Sequence, residues 1–328
     1  MDGTLTPPRE KIEVSLIPVL EELSDIAEIG ILTGSDYNCL KQQVGLLLDH
    51  SKIRKKLHLL PCNGTKHYYP PSNNYEEHKL ISSRDMIVEL GRRPFQHLML
   101  LLIQQQANFS NERFPLTGHF IDYRGSMINW SPIGRNAQSE ERQFFIDYDN
   151  SFTPSLREGL LGRLQHYIKL KRIDNLTIKL GGDTSFDIFP TGWDKTYSLQ
   201  HFPDYTYWFI GDRCEENGND KEIYDLLQQN ERSFKTNNTG QTKEITSIII
   251  NKINSNINVI AVKAYSFADG LIFNTPAFIE ILQTCSPVST STIIASISIL
   301  ATNSSAWSLI NLHISKRYSF ESSSLICK

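Results

Sequence analysis

The chain of 328 residues is poor in cysteine and carries no excess of positive charge. Its cysteines are odd in number, form no CxxC pair and show no spacing typical of a disulfide framework, which excludes a disulfide-stapled scaffold. Free thiols indicate a reducing compartment, so we expect a cytoplasmic protein. A net charge of −3 provides no basic field for nucleic acid or an anionic membrane, and we expect neither as a partner. The cysteines are Cys39, Cys62, Cys214, Cys285 and Cys327.

Signals for nucleotide binding, catalytic triads and membrane insertion are also missing. No GxGxxG or P-loop string is present, so a Gly-rich cradle for a nucleotide is not predicted. No Ser/His/Asp order and no His pair at metal-binding spacing stands out. The first residues lack the apolar segment of a secretory signal. The best membrane candidate, VSTSTIIASISILAT at 288–302, is short and rich in Ser and Thr, so we expect it not to span.

Two regions of alternating strands and helices flank a middle segment of different character. AEIGILTGSD and DYTYWFIGDR each indicate a buried strand that ends in a Gly-containing turn. Between them, alternating strands surround turns at Gly125-Ser126 and Gly181-Gly182, which predicts two antiparallel hairpins backed by helices. The pattern favours an α/β core interrupted by an inserted α+β module. Residues 255–328 show no clear hydrophobic periodicity, and we predict no fold for them.

Two helices and one broken strand are predicted beside these hairpins. Apolar residues at helical spacing predict a helix over 11–23. A longer periodic stretch predicts a helix over 84–106, which Pro94 is expected to begin or to kink. KLHLLPCNGTKHYY indicates a strand that Pro61 and the NGT turn interrupt.

This chain carries Asp residues at positions where α/β folds bind ligands. Asp2, Asp36 and Asp212 lie in turns beside Gly, and the last two follow predicted strands. Ligands in open α/β sheets bind beyond the carboxyl ends of the strands. Clustered carboxylates repel one another unless a cation neutralises them, and oxygen-only ligands favour Mg²⁺. Alternatively, each Asp is an ordinary turn residue; the three together favour the metal.

The middle segment also carries residues suited to a sugar phosphate. The forked guanidinium groups of Arg124, Arg135 and Arg142 suit bidentate phosphate binding. Ser185 and Asp187 lie two residues apart on a predicted strand and share a face that could hold sugar hydroxyls. Lys195 could neutralise a phosphoryl group. Each of these residues alone is explained as well by an exposed polar surface, and spacing leaves both interpretations open.

Several strings occur together in the order that one family carries. The chain resembles the eukaryotic-type phosphomannomutases of the haloacid dehalogenase superfamily from Met1 to about Asn254 in DGTLTPPR, GSD, NGT, FIDYRGSMINWSPIGR, SEER, GGDTSFDIFPTGWDK and FIGDR with GNDKEIY. The resemblance implies a haloacid-dehalogenase-like α/β core with a parallel sheet and an inserted α+β cap domain. The core would comprise 1–82 and 191–254, the cap 83–190, and 255–328 would be an extension without counterpart.

The resemblance also implies an activity. The family interconverts mannose 6-phosphate and mannose 1-phosphate for GDP-mannose synthesis, and it uses Mg²⁺ with a hexose 1,6-bisphosphate as intermediate and activator. A homodimer formed through the cap is implied, and a preference between mannose and glucose is not.

Specific residues receive roles by the same resemblance. Asp2 falls on the general acid/base and a metal contact, and Lys195 on the lysine that stabilises the phosphoryl group. Cation contacts fall on Asp212 and, in a second loop where the register is shifted, on Tyr224 and Asp225. Substrate contacts fall on Arg9, Ser35 (or Thr33), Arg124, Arg135, Arg142, Ser185 and Asp187.

The family's nucleophile is the first Asp of its DxDGT motif, and Met1 occupies the middle position of that motif. Residues 1–328 do not include this Asp, so we expect a chain that starts at Met1 to be inactive. Because the partners of the nucleophile are retained, we also expect the gene to encode an upstream apolar strand that ends in Asp. Two other functions stay open: a sugar-phosphate phosphatase of the same superfamily and a non-catalytic sugar-phosphate-binding protein.

Overall fold

A computed structural model describes residues 1–50, 52–109, 112–173, 175–269, 279–282, 296–303 and 306–313. The chain divides into two units, the first of residues 1–203 with 207–247 and the second of residues 204–206 with 248–328. The division into core, cap and extension at residues 82, 190 and 254 stays a prediction.

The first unit begins with helices that alternate with short strands. Its elements are α1 (Ile17–Ile26), β1 (Ile29–Leu32), α2 (Tyr37–Gln43), α3 (Gly45–Asp49), β2 (Leu57–Leu60), β3 (Lys66–Tyr69) and β4 (Lys79–Ser83). The strands form a sheet in the order β1-β2-β3-β4, which we call the core sheet. β1 and β2 pair in parallel, whereas β3 and β4 add antiparallel strands.

The first helix begins later than predicted. Residues Val14–Leu16 form a short 3-10 helix, and α1 starts at Ile17. Pro18 occupies the first turn of α1, where the amide hydrogen that proline lacks would have no partner within the helix. Ile12 is buried ahead of the helix, so its helical spacing reflects burial and not helical backbone.

The inserted part contains a second sheet and four helices. Its elements are α4 (Met86–Leu90), α5 (Arg92–Asn108), β5 (Ile121–Tyr123), β6 (Ile128–Trp130), α6 (Ser139–Asn150), α7 (Leu156–Leu170), β7 (Leu176–Gly181) and β8 (Ser185–Pro190). The strands form an antiparallel sheet in the order β5-β6-β8-β7, which we call the cap sheet. Both predicted hairpins, β5–β6 and β7–β8, are confirmed.

The predicted helix over 84–106 is broken in two. The break lies at Gly91, whose φ of 84° a residue with a side chain rarely adopts. Pro94 lies in the first turn of the second helix, where it is tolerated, so the glycine makes the break.

The two faces of the cap sheet differ in polarity because its strands alternate. Ile128, Ile188 and Ile178 are paired across neighbouring strands and are buried. Trp130 and Phe186 are also cross-strand partners, and their rings stack with centroids 5.1 Å apart. These side chains form one hydrophobic cluster with leucines of α5 and α7, so this face is covered by helices. The polar residues that alternate with them lie on the opposite face.

The remaining elements comprise one more parallel strand pair in the first unit and the elements of the second unit. They are β9 (Phe209–Gly211), α8 (Lys221–Gln228), β10 (Ser233–Lys235), α9 (Thr239–Asp269), β11 (Ile279–Leu282), β12 (Ser296–Asn303) and β13 (Ala306–His313). β9 pairs in parallel with β10. The strands of the second unit form an antiparallel sheet in the order β11-β12-β13, in a region where no fold was predicted.

A membrane-spanning helix was not predicted. Within the described residues, none of the helices has both the length and the apolar character that crossing a bilayer requires. The candidate at 288–302 lies partly outside the described residues, and its described part belongs to β12.

Three histidines cluster at the core sheet, and two of them, His58 and His67, are buried. His58 of β2 and His67 of β3 approach to 2.9 Å between Nδ1 and Nε2. The ring of His201 lies against that of His67, with centroids 4.6 Å apart, and its Nε2 lies 2.7 Å from the carbonyl oxygen of Gly64. Burial, assisted by His201 and His58, lowers the pKa of His67 to about 3.

We expect the stability of this unit to fall as the pH is lowered from about 6.5 towards about 3, the unfolded and folded pKa values of His67. Between these values the unfolded state binds a proton that the folded state excludes, so stability rises with pH at about 1.4 kcal/mol per pH unit. Urea unfolding over this range should show a slope that is smaller by about this amount in His67→Gln. His166→Gln, which removes an exposed histidine from α7, is the control. Equal slopes in the wild type and His67→Gln would contradict the assignment.

Candidate functional site

The first six residues form a tight turn that presents Asp2. The carbonyl oxygen of Met1 accepts hydrogen bonds from the backbone N–H groups of Thr4, Leu5 and Thr6. Gly3 has a φ of 75°, and a side chain there would place Cβ only 2.5 Å from Oδ2 of Asp212. Glycine therefore allows the turn to approach the end of β9 closely.

The carboxylate of Asp2 is fixed by two donors. Its Oδ1 accepts from Nε2 of Gln43 at 2.7 Å and from the backbone N–H of Arg9 at 2.9 Å. Charge attraction from Asp2 also acts on the guanidinium groups of Arg9 and Arg142. The Asp2 carboxylate therefore lies within electrostatic reach of the predicted phosphate-binding arginines.

A buried ion pair lies on the core side of the site. Nζ of Lys195 donates to Oδ1 of Asp220 at 2.5 Å, and both side chains are almost fully buried. Burial alone would lower the pKa of Lys195, but Asp220 outweighs it and raises that pKa. Burial likewise opposes ionisation of Asp220, and Lys195 lowers its pKa below the usual value. The pair therefore keeps both charges inside the protein.

Asp212 lies nearby at the end of β9. Its Oδ1 accepts from the hydroxyl of Thr4 at 2.9 Å, which ties β9 to the N-terminal turn. Burial is the largest influence on Asp212 and raises its pKa. A cation would relieve that burial cost, because it favours the charged carboxylate.

The loops after β1 and β2 meet beside the cap sheet. The backbone N–H of Cys62 donates to the carbonyl of Ser35, and that of Asn63 donates to the carbonyl of Thr33. A Cβ added at Gly34 would lie 3.3 Å from Oδ2 of Asp187, so the Asp187 carboxylate lies close to this loop. Asn63 Oδ1 is buried and has no hydrogen-bond partner in the part of the chain that the structure describes.

The polar face of the cap sheet carries one row of side chains across all four strands. Asp122 pairs with Asn129, Asn129 with Asp187, and Asp187 with Lys179. Nδ2 of Asn129 donates to Oδ1 of Asp187 at 2.8 Å and to the hydroxyl of Ser185 at 3.0 Å. We call Asp122, Asn129, Asp187 and Lys179 the polar row.

Two of the predicted arginines are anchored to this row. Arg124 donates from Nε to Asp122 at 2.9 Å and from Nη1 to the carbonyl of Gly34 at 2.6 Å. Burial opposes its charge, but Asp187 and Asp122 outweigh burial and raise its pKa. Arg135 donates from Nη1 to Oδ1 of Asn129 at 2.9 Å and lies 3.6 Å from Asp122.

The third arginine of the cap, Arg142, has a buried nitrogen for which the described residues provide no hydrogen-bond acceptor. Arg142 lies on α6, and among the described residues no group bonds to its buried Nη1. Burial, together with repulsion from Arg9 and Arg135, lowers its pKa to about 10. Nη1 of Arg9 reaches the carbonyl of Arg135 at 3.4 Å. Three guanidinium groups therefore lie within electrostatic reach of one another, an arrangement that a bound anion would stabilise.

The predicted residues divide into two groups by their placement. The first group lies at the cap. Asp2 interacts with Arg9 and Arg142, and Arg124 and Arg135 bond to the polar row, to which Asp187 belongs and which Ser185 contacts. Ser35 lies in the adjoining loop. The second group, Lys195 and Asp212, lies on the core side.

Tyr224 and Asp225 belong to α8 and show other contacts. Asp225 is exposed and pairs with Lys221 one turn away at 2.5 Å, and the carbonyl of Tyr224 accepts from Ser233. Their role as cation ligands stays a prediction.

Three polar residues that sequence reasoning passed over contribute to the site. Asp220 holds Lys195, Asn129 joins Ser185 to Asp187 and Arg135, and Asp122 holds Arg124. All three lie inside the strings that carry the family resemblance. Alternation with the apolar residues of β5 and β6 could have placed Asp122 and Asn129 on the polar face.

The oxygen donors on the core side fit a magnesium ion. Across the described ranges, no three His, Cys, Asp or Glu side chains come together as a set that could hold a metal ion. Mg²⁺ needs fewer protein ligands, because it is usually held by one or two carboxylates with waters and substrate phosphate. Asp212 offers a partly buried carboxylate whose pKa burial raises, which is the chemistry of such a ligand.

Solved structures identify the class of fold. The IMP-bound, N-terminally truncated IMP-nucleotidase of Plasmodium falciparum superposes with a TM-score of 0.51 at 14% identity, covering 76% of this chain and 66% of that chain. At this identity the likeness concerns the fold alone. The fold is haloacid-dehalogenase-like, with an α/β core that contains parallel strands, as predicted.

Sequence comparison identifies the family within that class. The model of eukaryotic phosphomannomutase matches residues 16–252. The phosphomannomutase of Arabidopsis thaliana is 34% identical over 233 residues, 69% of this chain and 85% of that protein. Phosphomannomutase 1 of Dictyostelium discoideum is 33% identical over 229 residues, 68% and 84% respectively. The chain belongs to the eukaryotic phosphomannomutase family, a family of isomerases, which confirms the predicted resemblance.

The contrast between Asp220 and Asp225 can be measured. We expect Asp220→Asn to lower the free energy of unfolding by about 3 to 5 kcal/mol, because it leaves the buried Lys195 charge unpaired. Asp225→Asn removes an exposed pair within one helix and should lower the free energy of unfolding far less. Urea unfolding at pH 7 followed by circular dichroism compares the two variants. Similar losses in both would contradict the placement of Asp220.

Proposed function

We propose that the protein interconverts mannose 6-phosphate and mannose 1-phosphate through a phospho-aspartate and a hexose 1,6-bisphosphate. The product would feed GDP-mannose synthesis in the cytoplasm. We further propose that the protein acts as a homodimer joined through the cap.

The single observation that carries this proposal is the arginine group of Arg9, Arg135 and Arg142. Arg142 is partly buried, and its buried Nη1 has no partner among the residues that the structure describes; such a nitrogen beside two like charges is costly unless an anion joins it. A bisphosphate supplies a second, distal phosphate for that place while its other phosphate reacts on the core side. A phosphatase that hydrolyses a monophosphate has no need of a second anion site, so this group favours the mutase.

Asp2 is proposed as the general acid/base. Gln43 and the backbone of Arg9 fix its orientation, so its carboxyl can give a proton to the sugar oxygen or take one from it without searching for a position. The same residue can serve both half-reactions, because the sugar presents a different oxygen after it turns. Asn129 and Asp187 of the polar row, with Ser185 beside them, are proposed to form hydrogen bonds with the sugar hydroxyls in both orientations.

Lys195 is proposed to hold positive charge where the phosphoryl group transfers. Asp220 keeps it protonated in a buried place, where its charge acts more strongly than in water. Enzymes of this superfamily generally use Mg²⁺. Asp212 with Asp2 would hold that ion, which when bound supplies further charge to the phosphoryl oxygens.

The test measures mannose phosphate isomerisation by protein expressed from the complete coding sequence. We expect Mg²⁺-dependent interconversion without release of inorganic phosphate, and Asp2→Asn should reduce its rate by about 10²- to 10⁴-fold. The control is Asp25→Asn. The Asp25 carboxylate belongs to a surface ion pair with Lys52, so this variant should retain full activity. Phosphate release without isomerisation would favour the phosphatase, and binding without either reaction would favour the non-catalytic alternative.

The arginine group has a test that needs no turnover. We expect Arg142→Ala to weaken binding of glucose 1,6-bisphosphate to residues 1–328 by about 2 to 5 kcal/mol, the scale for removing one partner of a buried charge pair. Calorimetry measures the affinity, and Arg163→Ala on the exposed side of α7 is the control. An unchanged dissociation constant would remove Arg142 from the site.

A further inference from the structure

The cap sheet contacts the core at both of its edges. At the β5 edge, Arg124 donates to the carbonyl of Gly34, and Nζ of Lys66 donates to the carbonyl of Arg124. The hydroxyls of Thr65 and Ser126 are hydrogen-bonded at the same edge. The bond between Thr65 and Ser126 is buried, and the two bonds to backbone carbonyls are partly buried, so this edge is held by short-range contacts.

The β7 edge is attached differently, by charge. Lys179, the last member of the polar row, forms an ion pair with Glu222 of α8. Asp183, in the turn between β7 and β8, forms an ion pair with Arg213, which follows β9. Each pair joins a cap residue to a core residue, and the two pairs have opposite polarity.

Both pairs remain open to solvent in part. Arg213 and Asp183 are 36% and 40% exposed, whereas in the other pair Glu222 is 37% and Lys179 only 15% exposed. Exposed pairs are individually weak and are screened by salt. The pair of Asp183 with Arg213 can therefore break and re-form without the cost of opening a buried contact, which suits a contact that must release.

Arg213 also connects this edge to the core carboxylates. Its Nε lies 3.7 Å from Oδ2 of Asp212, and its backbone N–H donates to Oδ2 of Asp220 at 3.1 Å. The residue that holds the cap turn is thus the neighbour of the proposed metal ligand. The guanidinium group of Arg213 therefore interacts both with Asp212 of the core and with Asp183 of the cap turn.

We propose that Lys179 and Asp183 form an ionic latch that holds the cap on the core at its β7 edge and sets how often the cap opens. They are positioning residues, since neither is placed against the reacting atoms. The consequence for sugar-phosphate exchange rests on the proposed function, whereas the opening equilibrium itself does not.

Cys62 reports on opening without turnover. It is buried, and its Sγ lies 3.8 Å from the carbonyl oxygen of Arg124 at the boundary of cap and core. When the cap moves away from the core, the contact with Arg124 is lost and we expect the thiol to gain access to solvent, so its alkylation rate with N-ethylmaleimide should rise with the open fraction. Mass spectrometry of the Cys62 peptide separates this rate from those of the other cysteines.

The experiment compares variants of residues 1–328 at low and high salt. We expect Asp183→Asn to raise the Cys62 alkylation rate about two- to fivefold, the scale of one exposed ion pair. Lys179→Glu places like charges opposite each other and should raise the rate about tenfold, and adding Glu222→Lys should restore it. At about 1 M NaCl these differences should vanish, because the screening length falls to about 3 Å.

Controls separate the latch from general loss of stability. Asp25→Asn removes a comparably exposed pair with Lys52 that lies wholly within the core, so it should leave the Cys62 rate unchanged. The thermal midpoints of all variants should agree. Equal alkylation rates in the wild type and Asp183→Asn, or a charge-swapped double variant that stays fast, would overturn the latch. Because none of these readouts needs catalysis, absence of mutase activity would overturn the proposed function alone.

Discussion

The strict alternation of the cap sheet is the constraint on which the rest of the site depends. One face must stay apolar to cover α5 and α7, and isoleucines paired across β6, β8 and β7 meet that demand. The period of two then places Asp122, Asn129, Asp187 and Lys179 together on the other face. A shift of one residue in any pairing would bury this polar row and expose the apolar one, so packing energy enforces the position of the site.

Charge balance explains why some of these residues are rigid and others are ready for a ligand. Lys195 with Asp220 and Arg124 with Asp122 are closed pairs, in which each charge has its partner inside the protein. Arg142 has repulsive neighbours and a buried nitrogen for which the described part of the chain provides no acceptor. Protein interiors rarely keep such a group, so the closed pairs build the frame and Arg142 is where we propose that an anion binds.

The sequence predicted the local elements better than the long-range partners. The hairpins followed from alternation around Gly125-Ser126 and Gly181-Gly182, which are local signals. The pairing of β6 with β8 joins segments far apart in the chain, and only the fold reveals it. Likewise Asp220 and Asp225 are both acidic residues near the start of one helix, yet one is buried against Lys195 and the other faces solvent. Spacing could not distinguish them because burial is decided by distant elements.

The two edges of the cap sheet bear on the difference between a mutase and a phosphatase. A bisphosphate intermediate must turn between half-reactions, which requires room, and must stay bound, which requires continued contact. Hydrogen bonds to backbone carbonyls hold the β5 edge beside Arg124, whereas partly exposed ion pairs hold the β7 edge. Opening that starts at the weaker edge would give the sugar space to turn, while the arginines of the cap keep hold of a phosphate. A cap that opens from one edge and carries its own phosphate contacts would meet both requirements.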